Sequence, residues 1–403
     1  MDKNMEQKIE ELLERGIIAE VFPSKEEFKK KLLSGEKIRF YIGADPTAKA
    51  LHLGHAQNLM LLEDFRKLGH EVIFLIGDFT GMIGDPTEKA SARVKQTREQ
   101  VEENFKGWLN QTKNVLSFEA QENPVQVKYN SEWLGKLDFA EVLELASNFT
   151  VQQMLERDMF EKRMEETKPI YLHEFLYPLM QGYDSVAMDV DVELCGTDQI
   201  FNALAGRTLL KKLKNKDKFV VAANLIADEK TGTLMSKSNG TGVFLDLSAN
   251  DLFGAIMSQP DGMIKPLLVG CTRISLDEIK DLMKLENPRD AKLRLAEEIV
   301  KIYHGEDESK SAKENFINTF SKKELPDEIA EFEVEKAEIK LAEFLVLSGN
   351  AKSMGEARRK IEQGGVSVDE EKLLDPQTTL DGKFDGKVFK VGKFGFAKIV
   401  FKK

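Results

Sequence analysis

The chain has 403 residues, with 41% hydrophobic and 32% charged side chains, which excludes a disordered protein and favours a soluble enzyme of two or three domains. Its net charge of −11 argues against nucleic acid covering the whole surface, but residues 339–403 carry thirteen Lys/Arg against nine Asp/Glu, so local RNA binding stays open. The two cysteines form no CxxC pair, which excludes a disulfide framework and a structural zinc site, and no dedicated metal site is expected.

The first part of the chain shows a strand–helix–strand pattern. A capping residue at Ser24 predicts a helix, and a strand follows at residues 37–43. A second helix is predicted from about His52 to Gly69, and the nearly all-apolar residues 72–77 predict a strand buried on both faces. This order predicts a βαβ unit of a parallel sheet.

A helical insertion, about residues 91–182, separates this unit from a second one. A strand is predicted at residues 189–194, a helix at 198–213 and another strand at 219–227. The two units together predict an α/β fold with a doubly wound, Rossmann-like parallel sheet. Ligands of such sheets bind beyond the carboxyl ends of the strands.

We predict three domains. Residues 1–247 form the catalytic domain, which includes the insertion, residues 248–325 form a helical domain, and residues 338–403 form a small α+β domain. A polar, proline-containing linker is expected at residues 321–328. The polar N-terminal segment is no secretory signal, and the longest apolar run, residues 219–227, is too short for a membrane span, so a cytoplasmic protein is expected.

The motif His52-Leu-Gly-His55 indicates phosphate binding. Its two histidines are three residues apart at a predicted helix start, so they share one face. A helix N-terminus offers free N–H groups and a positive dipole end, and Gly54 lets a phosphate or a flat ring approach the backbone. The alternative is a pair of surface histidines, but two of only five histidines in the chain fall in this motif.

A second motif, Leu234-Met-Ser-Lys-Ser238, places Lys237 on a predicted loop, where its charge could stabilise a leaving pyrophosphate. Short Ser/Lys loops are common, so this motif is a weak signal by itself and a strong one only in combination with HLGH. Together the two resemble the HIGH and KMSKS signatures of class I aminoacyl-tRNA synthetases. Leu234 stands where that family has its first lysine, so binding of the ATP phosphates would rely on Lys237 alone.

Further stretches resemble bacterial-type tyrosyl-tRNA synthetases in particular, and the resemblance covers essentially the whole chain. Its C-terminal part, residues 341–368, resembles an S4-type RNA-binding domain. The other matching stretches are Tyr41 to Thr47, Thr80 to Pro86, Tyr177 to Asp184 and Gly196 to Gln199. The resemblance implies ATP-dependent activation of L-tyrosine to tyrosyl-adenylate and transfer to the 3′ end of tRNA(Tyr). It also implies Mg²⁺ with ATP, no tightly bound cofactor, an anticodon-side role for residues 248–325, and a homodimer that contacts through the helical insertion.

The resemblance also assigns site residues. Tyr177, Gln181 and Asp184 are spaced to line one helix face. The implied tyrosine-binding residues are Tyr41 and Asp184 at the phenol hydroxyl, Asp85, Tyr177 and Gln181 at the ammonium group, and Thr80 and Gln199 in support. The implied ATP-binding residues are Asp45, Thr47, Gly54, Asp198, Met235 and Lys237, and the catalytic ones are His52, His55 and Lys237. The implied tRNA-binding residues are Arg358, Arg359 and Lys360 on a helix that is capped by Ser353.

Three alternatives stay open on sequence. Small nucleotidyltransferases also carry HxGH, but they need no RNA-binding tail. A tryptophanyl enzyme would lack the Tyr41/Asp184 pair and the S4-like tail. A catalytically inactive RNA-binding paralogue is favoured only by Leu234, and it would have no need to retain HLGH, Lys237 and the pocket residues.

Overall fold

A computed structural model describes residues 3–85, 97–236, 240–321, 329–335, 337–369, 371–392 and 395–402. By its internal contacts the chain divides into two compact units, Met1–Lys313 and Glu314–Lys403. Residues 91–96 of the predicted insertion and residues 322–328 of the predicted linker lie outside the described residues. In the described part of the chain, no helix is both long enough and apolar enough to cross a membrane.

The first unit is built on one sheet. Its strands are β1 Ile18–Phe22, β2 Arg39–Ala44, β3 Glu71–Ile76, β4 Gln126–Tyr129, β5 Val192–Gly196 and β6 Phe219–Ala223. Their order across the sheet is β1-β6-β5-β2-β3-β4, and all neighbours run parallel except β1, which is antiparallel to β6. The predicted doubly wound parallel sheet is confirmed, and its strand order reverses between β2 and β5.

Helices cover the sheet and form the insertion. They are α1 Lys3–Glu14, α2 Lys25–Leu33, α3 Leu53–Lys67, α4 Thr80–Ile83, α5 Arg98–Thr112, α6 Ser131–Leu134, α7 Phe139–Ala146, α8 Val151–Leu155, α9 Asp158–Glu165, α10 Leu176–Met188 and α11 Ile200–Lys214. The helical region that follows has α12 Ala249–Met257, α13 Ile264–Cys271, α14 Leu276–Leu282, α15 Pro288–His304 and α16 Glu306–Ser321. Short 3-10 helices lie at Leu172–Phe175, Thr197–Gln199 and Asp261–Met263.

Both predicted βαβ units are confirmed, as β2-α3-β3 and β5-α11-β6. The predicted cap of α2 is also confirmed, since Ser24 Oγ accepts from Glu27 N at 3.2 Å. Two strands were not predicted. Strand β4 falls inside the predicted helical insertion, where its half-buried Gln-Val-Lys-Tyr run gives no clear alternation, and β1 is a partly exposed edge strand.

Helices α10 and α11 pack unusually closely, because each has a glycine at the crossing. A Cβ added to Gly206 would lie 3.3 Å from Gly182 Cα, and a Cβ added to Gly182 would lie 3.1 Å from Gly206 N. A larger residue at either position would force the helices apart. This crossing brings the polar face of α10 over strand β5 and the start of β6.

The second unit has its own sheet and core. Its elements are β7 Glu331–Val334, β8 Ile339–Lys340, α17 Leu341–Leu347, α18 Met354–Glu362, β9 Val366–Val368, β10 Glu371–Lys372, β11 Thr379–Leu380, a 3-10 helix at Gly382–Phe384, β12 Val388–Val391 and β13 Gly395–Phe401. The main sheet has the order β10-β9-β12-β13-β7, and its core includes Phe344, Ile361 and Phe389. The predicted pair of short helices followed by strands is confirmed. Strand β7 precedes residue 338 and pairs parallel with β13.

Candidate active site

The candidate site lies at the carboxyl ends of the parallel strands of the first unit. Asp45 follows β2, Gly77 follows β3 and Thr197 follows β5, while α3 begins at Leu53. In a doubly wound sheet, the crevice at the reversal of strand order is the usual ligand site. Here that reversal lies between β2 and β5, so these loops surround it.

The two histidines of HLGH cap helix α3 through their own rings. His52 Nδ1 accepts from Gly54 N at 3.1 Å, and His55 Nδ1 accepts from His52 N at 3.2 Å. Because each Nδ1 accepts a backbone proton, the neutral form of each ring carries its hydrogen on Nε2. Burial lowers the pKa of His52 to about 4, and burial together with the neighbouring His52 lowers the pKa of His55. Near neutral pH both rings are therefore uncharged hydrogen-bond donors.

Gly54 is required because the His52 ring lies against it. An added Cβ would come within 2.8 Å of His52 Cε1. The backbone oxygen of Met235 lies 3.9 Å from the position of that added Cβ, and the Met235 side chain is buried. The structure thus brings Gly54 and Met235 together, as expected for two residues that the resemblance assigns to one nucleotide.

The segment after the second motif runs beside HLGH. Leu53 N donates to Val243 O at 3.0 Å, and Leu245 N donates to Leu51 O at 2.9 Å. Thr241 N donates to Ser236 O at 3.2 Å, which closes the loop that carries the motif. Lys237 itself lies outside the described residues, but the chain on both sides of it is held next to the start of α3.

Asp45 joins three parts of the site. Its Oδ1 accepts from Thr80 Oγ1 at 2.7 Å, and its Oδ2 accepts from Tyr177 Oη at 2.8 Å. Its backbone oxygen accepts from Thr47 N at 2.7 Å. A side chain at Gly77 would collide with this arrangement, since its Cβ would lie 1.9 Å from Asp45 Oδ1. The loop after β3 therefore needs glycine at this point.

Asp184 is buried in the wall that α10 forms. Its Oδ1 accepts from Trp133 Nε1 at 2.7 Å, and Asn130 Nδ2 donates to its Oδ2 at 3.4 Å. Burial raises the pKa of this carboxyl well above its usual value, and the two hydrogen bonds oppose that rise. Tyr41 is 1% exposed, and its hydroxyl pairs with Ser185 Oγ at 3.0 Å, one residue beyond Asp184. Burial and the Glu193 charge raise the pKa of Tyr41, which keeps its phenol protonated.

A second group of hydrogen-bonded side chains surrounds the carboxylate of Asp85. Its Oδ1 accepts from the buried Arg157 guanidinium at 3.2 Å, and its Oδ2 accepts from Gln199 Nε2 at 2.6 Å. Gln199 Nε2 also lies 3.4 Å from Asp198 Oδ2, and burial raises the pKa of Asp198. Burial and the nearby Asp45 and Asp85 charges raise the pKa of Tyr177. The structure thus brings Asp85, Asp198 and Gln199 together and places Tyr177 close enough to feel the charge of Asp85.

Tyr177, Gln181 and Asp184 share one face of α10, as their spacing predicts, yet each has a different partner. Tyr177 bonds to Asp45, Asp184 to Trp133, and Gln181 Nε2 donates to Glu193 Oε1 at 3.0 Å. The site residues that sequence reasoning missed are Asn130, Trp133, Arg157, Ser185, Glu193 and Lys218. Glu193 carried a usable signal, because it is a charged residue between Val192 and Leu194 in a buried strand. No pattern marks the other five.

In the second unit, the predicted basic cluster lies on α18. Ser353 Oγ caps this helix by accepting from Glu356 N at 3.3 Å, and the helix ends before Gly364, whose φ is +72°. Arg358 and Arg359 are exposed. Lys360 is instead engaged within the unit, because its Nζ donates to Asn350 O at 2.7 Å and pairs with Glu356 at 2.8 Å.

Comparisons with known proteins agree with this geometry. Residues 33–321 match the sequence model of "tRNA synthetases class I (W and Y)", and residues 322–393 match that of the "Tyrosine--tRNA ligase SYY-like C-terminal domain". The chain is 42% identical to a tyrosine–tRNA ligase of Carboxydothermus hydrogenoformans over 98% of both proteins. It is 40% identical to that of Thermotoga maritima over 96% of both.

The fold is shared with solved structures as well. A C-terminally truncated mitochondrial tyrosyl-tRNA synthetase of Aspergillus nidulans aligns with a TM-score of 0.66 at 24% identity, covering 79% of this chain and 99% of that one. The tyrosyl-tRNA synthetase of Archaeoglobus fulgidus, solved with L-tyrosine, aligns with a TM-score of 0.59 at 20% identity, covering 77% and 99%. The solved structures show the fold, and the sequence relatives and family models show the family. The chain belongs to the class I tRNA synthetases, within the tyrosine–tRNA ligase family.

Proposed function

We propose that the chain activates L-tyrosine with ATP and transfers the tyrosyl group to the 3′ end of tRNA(Tyr). One observation carries the proposal: the buried Asp184 and Tyr41 lie on α10 and β2, which a Tyr177–Asp45 hydrogen bond joins, and β2 leads into two uncharged histidines at the N-terminus of α3. The first feature suits a phenol hydroxyl and the second suits phosphate oxygens. Membership of the family implies ATP as a substrate.

Tyrosine is held at both ends. Asp184 and Tyr41 hydrogen-bond the phenol hydroxyl, and a phenylalanine there would leave these buried groups unpaired. Asp85, Tyr177 and Gln181 bind the ammonium group. Thr80 and Gln199 act less directly, since Thr80 orients Asp45 and Gln199 orients Asp85.

The chemistry of the first step needs no protein nucleophile. The tyrosine carboxylate attacks the α-phosphorus of ATP, a P–O bond forms, and the bond to pyrophosphate breaks. His52 and His55 donate from Nε2 to phosphate oxygens, and Lys237 adds a positive charge as pyrophosphate leaves. Asp198 binds the ribose, and Asp45, Thr47, Gly54 and Met235 shape the nucleotide site. ATP enters as its Mg²⁺ complex, which is the substrate species.

The second step uses the RNA. The terminal ribose hydroxyl of tRNA(Tyr) attacks the carbonyl of the adenylate, and AMP leaves. Arg358 and Arg359, which are exposed, contact phosphates, and Lys360 would have to leave its partners Asn350 and Glu356 to join them, while residues 248–325 lie on the anticodon side. In this proposal residues 1–247 catalyse both steps, residues 338–403 bind RNA, and the protein works in the cytoplasm.

The helical insertion supplies a homodimer contact in this proposal. Large apolar side chains are exposed there among the residues that the structure describes, and such side chains are typical of a protein–protein contact. These side chains are Phe139, Leu143, Val151, Met164, Tyr171 and Leu172. Leu172→Asp should shift the sedimentation of the protein from dimer to monomer. Leu374→Asp, at an exposed leucine of the second unit, is the control, and an unchanged dimer in Leu172→Asp would contradict this contact.

The decisive experiment is tyrosine-dependent exchange of labelled pyrophosphate into ATP, which needs no RNA. It is followed by charging of a total tRNA pool with each of the twenty amino acids. Of the twenty amino acids, only tyrosine is expected to support pyrophosphate exchange and to be charged onto tRNA. An inactive RNA-binding paralogue would show tRNA binding without exchange, and exchange with another amino acid would overturn the assignment to tyrosine.

A further inference from the structure

In contact with Tyr41 and Gln181 lies a charged cluster that has no assigned role. It consists of Glu193 in β5, Lys218 just before β6, and Ser185 in α10, and we call it the floor cluster. All three residues are at most 1% exposed. Lys218 Nζ pairs with Glu193 Oε2 and donates to Ser185 Oγ at 2.6 Å, and Ser185 Oγ donates to Glu193 Oε2 at 3.3 Å.

Stability alone does not account for such a cluster. Removing two charges from water costs several kcal/mol per ion, and replacing a buried pair by apolar residues is often neutral or stabilising. The fold nevertheless makes space for the charge. A Cβ at Gly206 would lie 2.7 Å from Lys218 Nζ and 3.0 Å from Ser185 Oγ, so the close crossing of α10 and α11 leaves room for the floor cluster.

The floor cluster touches both ends of the proposed tyrosine site. Ser185 Oγ pairs with the Tyr41 hydroxyl at 3.0 Å, and Glu193 Oε1 accepts from Gln181 Nε2 at 3.0 Å. Lys218 Nζ also lies 5.7 Å from the centre of the Tyr41 ring. The floor cluster as a whole therefore contacts both Tyr41, proposed to bind the phenol, and Gln181, proposed to bind the ammonium group.

The direction of each hydrogen bond follows from the charges. An ionised Glu193 only accepts, so Gln181 must turn its Nε2 toward Glu193, which leaves its Oε1 as an acceptor for an ammonium group. Lys218 only donates, so Ser185 Oγ accepts a hydrogen bond from Lys218 Nζ and is held in place beside Tyr41. A neutral amide at position 193 would accept either orientation of Gln181.

We propose that Glu193, Lys218 and Ser185 are positioning residues that set the selectivity for tyrosine by fixing Tyr41 and the affinity for the amino acid by fixing Gln181. This inference rests on the proposed function and names residues of the same site that act through others. Ser185 acts on the phenol end alone, whereas the Glu193–Lys218 pair acts on both ends. Loss of Ser185 therefore affects tyrosine more than phenylalanine, which has no hydroxyl for Tyr41 to bind.

The test compares Ser185→Ala and the charge-neutral double variant Glu193→Gln/Lys218→Met with wild type in amino-acid-dependent pyrophosphate exchange. In Ser185→Ala, kcat/KM for tyrosine should fall about tenfold, the scale of one lost hydrogen bond, with KM for ATP and kcat/KM for phenylalanine unchanged. The double variant should raise KM for both amino acids. Matched controls are Ser309→Ala, a buried serine in α16, and Lys214→Met, an exposed lysine in α11. Both should behave as wild type.

If kcat/KM fell by the same factor for tyrosine and phenylalanine in Ser185→Ala, the floor cluster would have only a structural role, and the proposal would be overturned. Wild-type kinetics in both variants would overturn it as well. If the double variant does not fold, Ser185→Ala decides alone, because it removes only a hydroxyl. A wild-type chain without tyrosine-dependent exchange would instead refute the proposed function, and the inference with it.

Discussion

At the residue scale, Asp184 is the buried carboxyl to which we assign the selectivity for tyrosine. It is 3% exposed and accepts from Trp133 and Asn130, so its oxygens are fixed in direction. In the proposed site the tyrosine hydroxyl pairs with this group, and phenylalanine has no hydroxyl that could do so. Selectivity therefore follows from the penalty for an unpaired buried acceptor.

Asp184→Ala should reduce the free energy of transition-state stabilisation for tyrosine activation by at least about 2 kcal/mol, the scale of one charged hydrogen bond. The measurement is kcat/KM for tyrosine in pyrophosphate exchange. Asp277→Ala is the control, since that side chain is 90% exposed. Near-normal kinetics in Asp184→Ala would remove Asp184 from the pocket.

His70 is a second residue whose protonation is set by burial. It is 6% exposed, and its Nδ1 accepts from Ile38 N at 3.4 Å. Burial lowers its pKa from 6.5 to about 4. Between these two values the unfolded chain binds a proton that the folded chain does not, so this residue lowers stability as the pH falls through that range.

The free energy of unfolding of the first unit should therefore fall as the pH drops from 6.5 to 4, by up to about 3 kcal/mol from His70. His70→Gln should remove that part of the pH dependence. Urea unfolding can be followed by tryptophan fluorescence, because Trp108 and Trp133 both lie in the first unit. The exposed His173→Gln is the control, and equal pH profiles for His70→Gln and wild type would contradict the prediction.

At the scale of elements, helix α5 holds the loop between β2 and α3. Side chains at i, i+4 and i+7 of α5 bond the loop backbone. Asn104 Nδ2 donates to Pro46 O at 2.9 Å, and Trp108 Nε1 donates to Ala48 O at 2.9 Å. Gln111 donates to Lys49 O and accepts from Leu51 N. The helix thus fixes a loop that carries Asp45 and Thr47 and leads into HLGH.

Asn104→Ala should loosen this loop, because Pro46 O would lose a buried donor, at a cost of about 1–3 kcal/mol. In the proposed site the loop faces ATP, so KM for ATP should rise several-fold while KM for tyrosine changes little. Asn110→Ala, on the exposed side of the same helix, should leave both values unchanged. A rise confined to KM for tyrosine would show that the loop serves the amino acid instead.

At the scale of the whole molecule, two units with separate cores divide the proposed work. HLGH, the proposed tyrosine-binding residues and the second motif all lie before residue 240, in the first unit. Residues 339–403 have a net charge of +4, whereas the residues before them carry −15. Because β7 pairs with β13, a deletion at residue 338 would leave β7 without its sheet, so a cut after Ser321 is the better design.

A chain that ends at Ser321 should keep pyrophosphate exchange and lose most tRNA charging, since it lacks residues 339–403, which carry the net charge of +4 and include Arg358 and Arg359. Arg358→Glu with Arg359→Glu in the full chain should reproduce much of the charging loss. It should also make tRNA binding less dependent on salt. Lys372→Glu, an exposed lysine outside α18, is the matched control. Joint loss of exchange and charging after truncation would make the second unit part of the catalytic fold.

The sequence by itself determined what depends on short spacing. The start of α3 at HLGH, the two βαβ units and the shared face of Tyr177, Gln181 and Asp184 follow from local periodicity and capping. The tertiary structure decided the partners of these residues. Asp45 meets a tyrosine 132 positions away, and Gln181 meets Glu193 of the floor cluster across two elements. The close approach of Gly182 and Gly206 leaves room for Lys218 and Ser185 of the same cluster. Periodicity records which face of an element is buried, but it holds no information about which distant residue lies opposite that face.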